Sequence, residues 1–293
     1  MAIIEVFSAY PGLLIGFTLI LGLLVGSFLN VVIYRLPVMM EREWQQQCQE
    51  LLADQQSSHP QAEPEPVFNL AVPRSSCPKC GHQITALENI PVLSYLWLKG
   101  RCSGCQTSIS ARYPLVELAT GLISALIAYQ FGASALLIPL LLFSWVLISL
   151  TMIDFDHQLL PDSLTLPLLW LGLIVNAFGL ITDLHSALWG AVAGYLSLWS
   201  VYWAFKLLTG KEGMGYGDFK LLAALGAWMG WQMLPLIVVL SSLVGAVIGI
   251  TLTVAKGRDH QQPMPFGPFL AIAGGIALLW GPALINQYLQ ILG

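Results

Sequence analysis

Residues 12–34 and 267–288 each run past twenty positions without an Asp, Glu, Lys or Arg. A helix needs roughly 20 apolar residues to cross a hydrocarbon core about 30 Å thick. In that core every backbone N–H and C=O must be satisfied within the segment, which a helix does. Further apolar runs lie near 114–131, 134–153, 163–182, 187–207, 219–230 and 232–255, about eight in all. The run at 219–230 is short enough to lie half-buried or to merge with its neighbour. Composition agrees. The chain is 56% hydrophobic and 10% charged, with a mean hydropathy of +0.73, where soluble domains are about 25% charged. The expected fold is an all-α polytopic membrane protein with about eight transmembrane helices. The first run has no basic segment before it and no small-residue cleavage site, so it reads as a retained helix. No internal repeat is visible.

The basic residues give an orientation. With eight spans, successive loops alternate sides. Arg35, Arg42, Arg74, Lys79, Lys99, Arg101 and Arg112 fall in the first loop. Lys206, Lys211 and Lys220 flank the loop after the fifth run, and Lys256 and Arg258 the loop after the seventh. These are all 12 Lys and Arg residues, and all fall on one side. Positive charge marks the cytoplasmic side. Both termini are therefore expected outside and the large loop inside.

That loop, residues 35–113, is the one sizeable soluble segment and separates a first helix (1–34) from a bundle (114–293). Residues 41–66 read as a short polar helix and a Pro/Glu-rich connector. Beyond them stand Cys77-Pro-Lys-Cys80 and Cys102-Ser-Gly-Cys105. Two such pairs about twenty residues apart match a tetrathiolate zinc knuckle. Pro78, Gly81 and Gly104 suit the turns. Disulfides are disfavoured in a reducing compartment. A four-cysteine site is closed, so the expected role is structural. Cys48 stands outside the pattern as an ordinary thiol, and His82 adjoins it as a surface group.

Acids at the ends of apolar runs need separate weighing. Asp162 follows Pro161 and reads as an N-cap of the next helix. Asp156 and His157 read as solvated loop polarity. Asp154 follows the apolar run LISLTMI directly and has no capping role. Asp218 ends Gly215-Tyr-Gly217-Asp218, where an N-cap is the bland alternative. By span parity, Asp154 and Asp218 reach the same membrane face although they stand 64 residues apart. Two carboxyls brought together share a proton. One then takes a proton from water while the other donates to a scissile carbonyl, which is aspartic protease chemistry. No HExxH motif is present. Asp154 lies near a helix C-terminus and Asp218 at a helix N-terminus, and the helix dipoles would then leave the resting proton on Asp154.

Taken together these segments resemble one family, the bacterial type IV prepilin peptidases. The resemblance is carried by GSFLNVVIYRLP (26–37), the two cysteine pairs with ENIPVLSYLWLKGRC (88–102), IDFDHQLLPD (153–162), Gly215-Tyr-Gly217-Asp218 and PMPFGPFL (263–270). It covers almost the whole chain. It implies a GxGD-type aspartyl protease bundle with Asp154 and Asp218 catalytic. Cleavage of a basic leader from prepilins and pseudopilins is implied, followed by N-methylation of the new terminus from S-adenosylmethionine. It further implies an inner-membrane setting, contact with pilus or type II secretion machinery, and no nucleic acid. Its methyltransferase part points to the insert, where Glu88, Asn89 and Arg101 are polar candidates for the methyl-donor site beside ordinary loop and turn roles. No GxGxxG appears.

Other classes fit less well. A transporter would carry its acids at mid-membrane, usually in repeated halves. A scaffold docking through the knuckle would explain the insert but not the paired acidic motifs. A peptidase lacking methyltransferase activity would not need both cysteine pairs.

Overall fold

The apolar runs become helices because only intrasegment hydrogen bonds satisfy their backbones. A computed structural model describes residues 2–53, 67–256 and 265–292. Most of the Pro/Glu-rich connector lies outside the described residues, as do His59, Arg258, His260 and the Pro263-Met264 start of the last motif. The chain forms two compact units, Met1–Ala133 and Ser134–Gly293.

The first unit contains α1 (Ala2–Ala9), α2 (Pro11–Ala53), the short α3 (Leu93–Trp97) and α4 (Arg112–Phe131). Helix α2 does not stop at the membrane boundary expected near Tyr34. It runs on through the polar stretch as one helix of 43 residues, with Pro37 inside it. It packs on α4 through small residues. A Cβ on Gly22 would stand 2.5 Å from Ser124 Oγ, and one on Gly26 2.7 Å from Glu117 Cα. Gly121 answers from α4, where a Cβ would stand 2.9 Å from Leu23 Cγ. Close backbone approach of this kind is how apolar helices gain packing in lipid. Past the membrane part, α2 holds the insert with Arg35. This buried guanidinium donates to Asn69 O (2.8 Å) and Pro73 O (2.6 Å). Arg35 and Arg42 both lie over the Phe68 ring, at 5.6 and 4.4 Å.

The second unit holds α5 (Leu137–His157), α6 (Asp162–Ala177), α7 (Leu184–Thr209), α8 (Tyr216–Met229), a 3-10 turn (Trp231–Met233), α9 (Leu234–Lys256) and α10 (Gly267–Leu292). Helix α8 is its core. From Phe219 to Met229 every residue but Lys220 is buried, as a helix apolar on all sides requires. It packs on α6, α7 and α10. Gly190 of α7 and Gly226 of α8 meet backbone to backbone, each leaving no space for a Cβ on the other. At the far end of α8, the buried Asn176 donates to Ala227 O and Trp228 O, both at 2.9 Å, and accepts from Ile181 N and Thr182 N. Trp228 Nε1 donates to Leu168 O at 2.8 Å.

The architecture is all-helical, with two isolated bridges and no strand among the described residues. Five stretches are long and apolar enough to cross a membrane: 11–52, 112–131, 137–157, 231–248 and 267–288. The eight expected runs all lie on helices, but α6 has 16 residues and α8 only 14. At about 1.5 Å per residue these fall short of a core about 30 Å thick. Helix α7 is long enough, with 26 residues, but is not among the five, so the five are the helices that meet length and apolarity together.

Candidate active site and candidate metal centre

Asp154 sits in the last turn of α5, where Gln158 N bonds Asp154 O at 2.9 Å and Gln158 closes the helix in a left-handed conformation (φ 53°). The chain then turns through Leu159-Leu160-Pro161 into α6. Asp218 stands in the first turn of α8. Both carboxylates are buried, at 5% and 7% exposure. They lie close enough for the charge on Asp154 to act on Asp218. The helix opening α10 completes the site. Gly267 N–H donates to Asp154 Oδ2 at 3.0 Å. Leu160 is the apolar wedge of this corner. A Cβ on Gly217 would stand 2.7 Å from Leu160 Cβ, and one on Gly267 3.1 Å from Leu160 Cδ1.

The bland alternatives fail locally. The N-cap of α8 is Gly215 and no side chain caps it, so Asp218 is not a cap. Asp162 opens α6, but the N-cap is Pro161, again without a side-chain bond. Asp162 instead accepts Lys220 Nζ on both oxygens at 2.7 Å. A true cap is Asp183 on α7, which accepts from Ser186 N at 2.8 Å. Asp156 and His157 are on the last turn of α5 rather than in a loop. The dipole argument for the resting proton also changes. The N-terminus of α10 points its first N–H at Asp154, so both aspartates now face a helix N-terminus and the dipoles no longer separate them.

In the insert the two cysteine pairs form matching turns. Cys77 N donates to His82 O (2.9 Å), as Cys102 N does to Thr107 O (2.8 Å). Gly81 N and Gln106 N return to Cys77 O and Cys102 O, both at 2.9 Å. Gly81 and Gln106 take the same left-handed position, at φ 71° and 57°. Gly104 serves differently: a Cβ there would stand 3.3 Å from His82. The four sulfurs all lie within 4.8 Å of one another. Cys77 Sγ is 3.8 Å from Cys105 Sγ and Cys80 Sγ 3.9 Å from Cys102 Sγ. None is in a disulfide. Metal–sulfur bonds of about 2.3 Å in a tetrahedron put sulfurs about 3.8 Å apart, so the donor set fits a metal of zinc's size. Backbone hydrogen bonds from Cys80 and then Lys79 lower the Cys77 thiol, while the crowded neighbouring sulfurs and burial raise that of Cys80, so Cys77 is the first of the pair to offer a thiolate. Cys48 is an exposed thiol outside the cluster.

The family model for the bacterial peptidase A24 N-terminal domain matches residues 20–131, and that for the type IV leader peptidase family matches 141–250. A protein of Stutzerimonas stutzeri named prepilin leader peptidase/N-methyltransferase is 59% identical over 98% of both chains. This chain belongs to the type IV leader peptidase family. Two further members of the same name, from Aeromonas salmonicida and Pseudomonas aeruginosa, are 57% and 55% identical. The first covers 98% of both chains, the second 100% of this chain and 99% of its own. No solved structure matches.

The remaining polar candidates in this leader peptidase chain differ in their surroundings. Glu88 is fully engaged. It accepts from Thr85 N (2.8 Å), Thr85 Oγ1 (2.9 Å) and Ser103 Oγ, and lies 3.2 Å from His82 Nε2. It ties the first cysteine turn to the second, and His82 is part of that tie rather than a free surface group. Asn89 and Arg101 are exposed. Two participants escaped sequence reasoning. Gly267 contributes a backbone N–H, and its signal was only the FGPF motif. Glu117, buried at 9% exposure in α4, was an acid inside an apolar run and carried the same signal as Asp154.

Proposed function

We propose that this chain cleaves the leader from type IV prepilins and pseudopilins and then methylates the new N-terminal amine. Leader cleavage rests on Asp154 and Asp218. The observation that carries it is the placement of two buried carboxyls, 64 residues apart in sequence, around one corner: Asp154 is bonded by Gly267 N–H, and Leu160 touches both Gly267 and Gly217, the neighbour of Asp218. The ionised member takes a proton from the attacking water. The protonated member donates to the scissile carbonyl oxygen. Gly267 N–H holds the Asp154 carboxylate in place, and Leu160 excludes water from the corner. Burial makes each of these interactions stronger than it would be in water.

The insert at 35–113 carries the methyl-transfer half, held by α2 and α4, and the helices from α5 onward carry the peptidase site. When bound, S-adenosylmethionine supplies an electrophilic methyl group on a sulfonium. Arg101 has an exposed guanidinium suited to its carboxylate, whereas Asn89, bonded to Ser27, and the engaged Glu88 suit shaping roles. The four cysteines hold a structural zinc that keeps the two turns together. The protein sits in the bacterial inner membrane, both termini outside, with the insert and both aspartates at the cytoplasmic face. This follows from the one-sided Lys and Arg residues. It also matches a substrate whose basic leader is cytoplasmic and whose apolar helix is in the bilayer. Partners are the prepilins, the bilayer and the pilus or type II secretion machinery.

Mass spectrometry of a prepilin incubated with the membrane-embedded chain and S-adenosylmethionine tests the reading. Loss of the leader plus gain of one methyl is expected. Leader loss without methyl gain would leave a peptidase alone.

A further inference from the structure

The mechanism above leaves one buried acid unused. Glu117 lies five residues into α4 and is 9% exposed. Its Oε2 accepts from Val92 N at 2.8 Å, at the N-cap residue just before α3. The Ser27 hydroxyl of α2 also lies within reach of the carboxylate. Ser27 Oγ also lies 3.3 Å from Asn89 Oδ1. Three oxygen sites therefore converge, the Glu117 carboxylate, Ser27 Oγ and Asn89 Oδ1. Between them is a single hydroxyl proton, and Ser27 can give it to only one neighbour. A carboxylate offers about four acceptor positions, and here two partners reach it. Turning the Asn89 amide would add a donor to Ser27 and still leave the carboxylate with two. Among the described residues no Lys, Arg or His is ion-paired to Glu117. An ionised acid this deep, without a cation, costs more than the hydrogen bonding from Val92 N and the Ser27 hydroxyl returns.

The cluster is not closed. Glu117 forms its inner end and Asn89, which is exposed, its outer end. Nor does it have slack on the helix side, because Gly26 of α2 rests against the Glu117 backbone. A ligand that fits must be small at its tip, positively charged, and rich in donors. A primary ammonium has one charge and three N–H donors, and it matches the three oxygens.

We propose that Glu117, with Ser27 and Asn89, is the site that binds the substrate's free N-terminal α-amine for methyl transfer, and that Glu117 accepts its proton. The inference rests on the methyltransferase reading above and adds the acceptor side of that reaction. An α-ammonium, with an ordinary pKa of about 7.7–8.0, is mostly protonated at neutral pH and has no lone pair to attack with. Glu117 takes one proton, giving a neutral amine and a neutral carboxylic acid. The amine lone pair forms the N–C bond to the donor methyl. The C–S bond breaks, its electron pair stays on sulfur, and the sulfonium becomes a thioether. The product leaves as a methylammonium, carrying the charge the donor brought, and Glu117 then gives its proton to water. The same residues would also release a peptide whose amine is blocked.

The test uses the full chain in nanodiscs and a peptide with the mature N-terminal sequence beginning at Phe. The same peptide, N-acetylated, is the comparison. Binding of both is measured without methyl donor, and methyl transfer to the free-amine peptide with S-adenosylmethionine. Wild type is expected to prefer the free amine roughly 10- to 100-fold, the range of a hydrogen-bonded charge pair. Glu117→Gln keeps an acceptor for Val92 N, and is expected to lose that preference and roughly 100-fold or more in methyl transfer. Glu117→Asp is expected to recover part of both. The proposal is overturned if Glu117→Gln keeps the preference and the rate. It is also overturned if Glu117→Gln loses both only together with protection of the four knuckle cysteines from alkylation, since Glu117 would then merely hold the loop. Absence of methyl transfer by wild type itself would overturn the methyltransferase reading, and the inference with it.

Discussion

A single methyl group at Gly267 tests the peptidase corner at its tightest point. A Cβ there would stand 2.6 Å from Asp154 Oδ2 and 3.1 Å from Leu160 Cδ1. Neither neighbour is free to retreat, because both are buried. Gly267→Ala is expected to lower cleavage roughly 100-fold, the scale of a 1 Å misplacement, with the chain still inserted and folded. Wild-type initial rates per folded molecule would show that the corner has slack. Glu88 gives a pH prediction. Ser103, then Thr85 and His82, pull its carboxyl from the ordinary 4.5 down to about 2. A depressed folded value stabilises the insert fully above the unfolded value, and the contribution is lost as pH falls from 4.5 to about 2. Hydrogen exchange of residues 82–88 should therefore separate wild type from Glu88→Gln at about pH 6–7 and cease to do so near the bottom of that window. At this scale the sequence exposed what carries charge in an odd place. Asp154 and Asp218 stood out as acids beside apolar runs. Gly267 could not stand out, because what it gives is a backbone N–H that any residue has.

Between elements, the sharpest contrast is among glycines. Gly190 and Gly226 leave each other no space for a Cβ, while Gly275 has nothing within 4 Å. Gly226→Ala is expected to destabilise the second unit by roughly 1–3 kcal/mol or more through overpacking. Gly275→Ala should be neutral. Thermal unfolding of the purified protein measures both, and equal melting temperatures would refute the α7–α8 contact. The ion pair between Lys220 of α8 and Asp162 of α6 is half exposed, 29% and 53% at the side chains. Such pairs contribute about 0–1 kcal/mol, so Asp162→Asn should be tolerated. Element types were clear from the apolar runs, and element ends were not. Helix α2 passes its expected end because Glu, Arg, Gln, Met and Leu in 39–53 are strong helix formers. A change from apolar to polar does not by itself stop a helix. Asp162 misread as a cap has the opposite cause: a sequence cannot display the lysine 58 residues away that takes its charge.

For the whole molecule, the reading is a membrane-embedded peptidase with a metal-held insert. The insert predicts a thiol count. Of five cysteines, Cys48 alone should react in the folded protein with metal bound, and all five after unfolding with a chelator. Elemental analysis should find one zinc per chain, lost on Cys80→Ser. Five reactive thiols in the folded, metal-loaded protein would rule the centre out. Fold class and the cysteine cluster were visible in sequence because each depends on local spacing. The lengths of α6 and α8 were not, because the apolar runs at 163–182 and 219–230 do not show where these helices begin and end. The pairing of Asp154 with Asp218 needed chemistry to suggest it, because the two lie on helices that only three-dimensional packing sets around one corner. The most direct measurement of that pairing is prepilin cleavage in membranes by wild type, Asp154→Asn, Asp218→Asn and Asp162→Asn at matched expression. The account predicts no detectable cleavage by the first two variants and near wild-type cleavage by Asp162→Asn. Cleavage by Asp154→Asn or Asp218→Asn at the wild-type rate would contradict it.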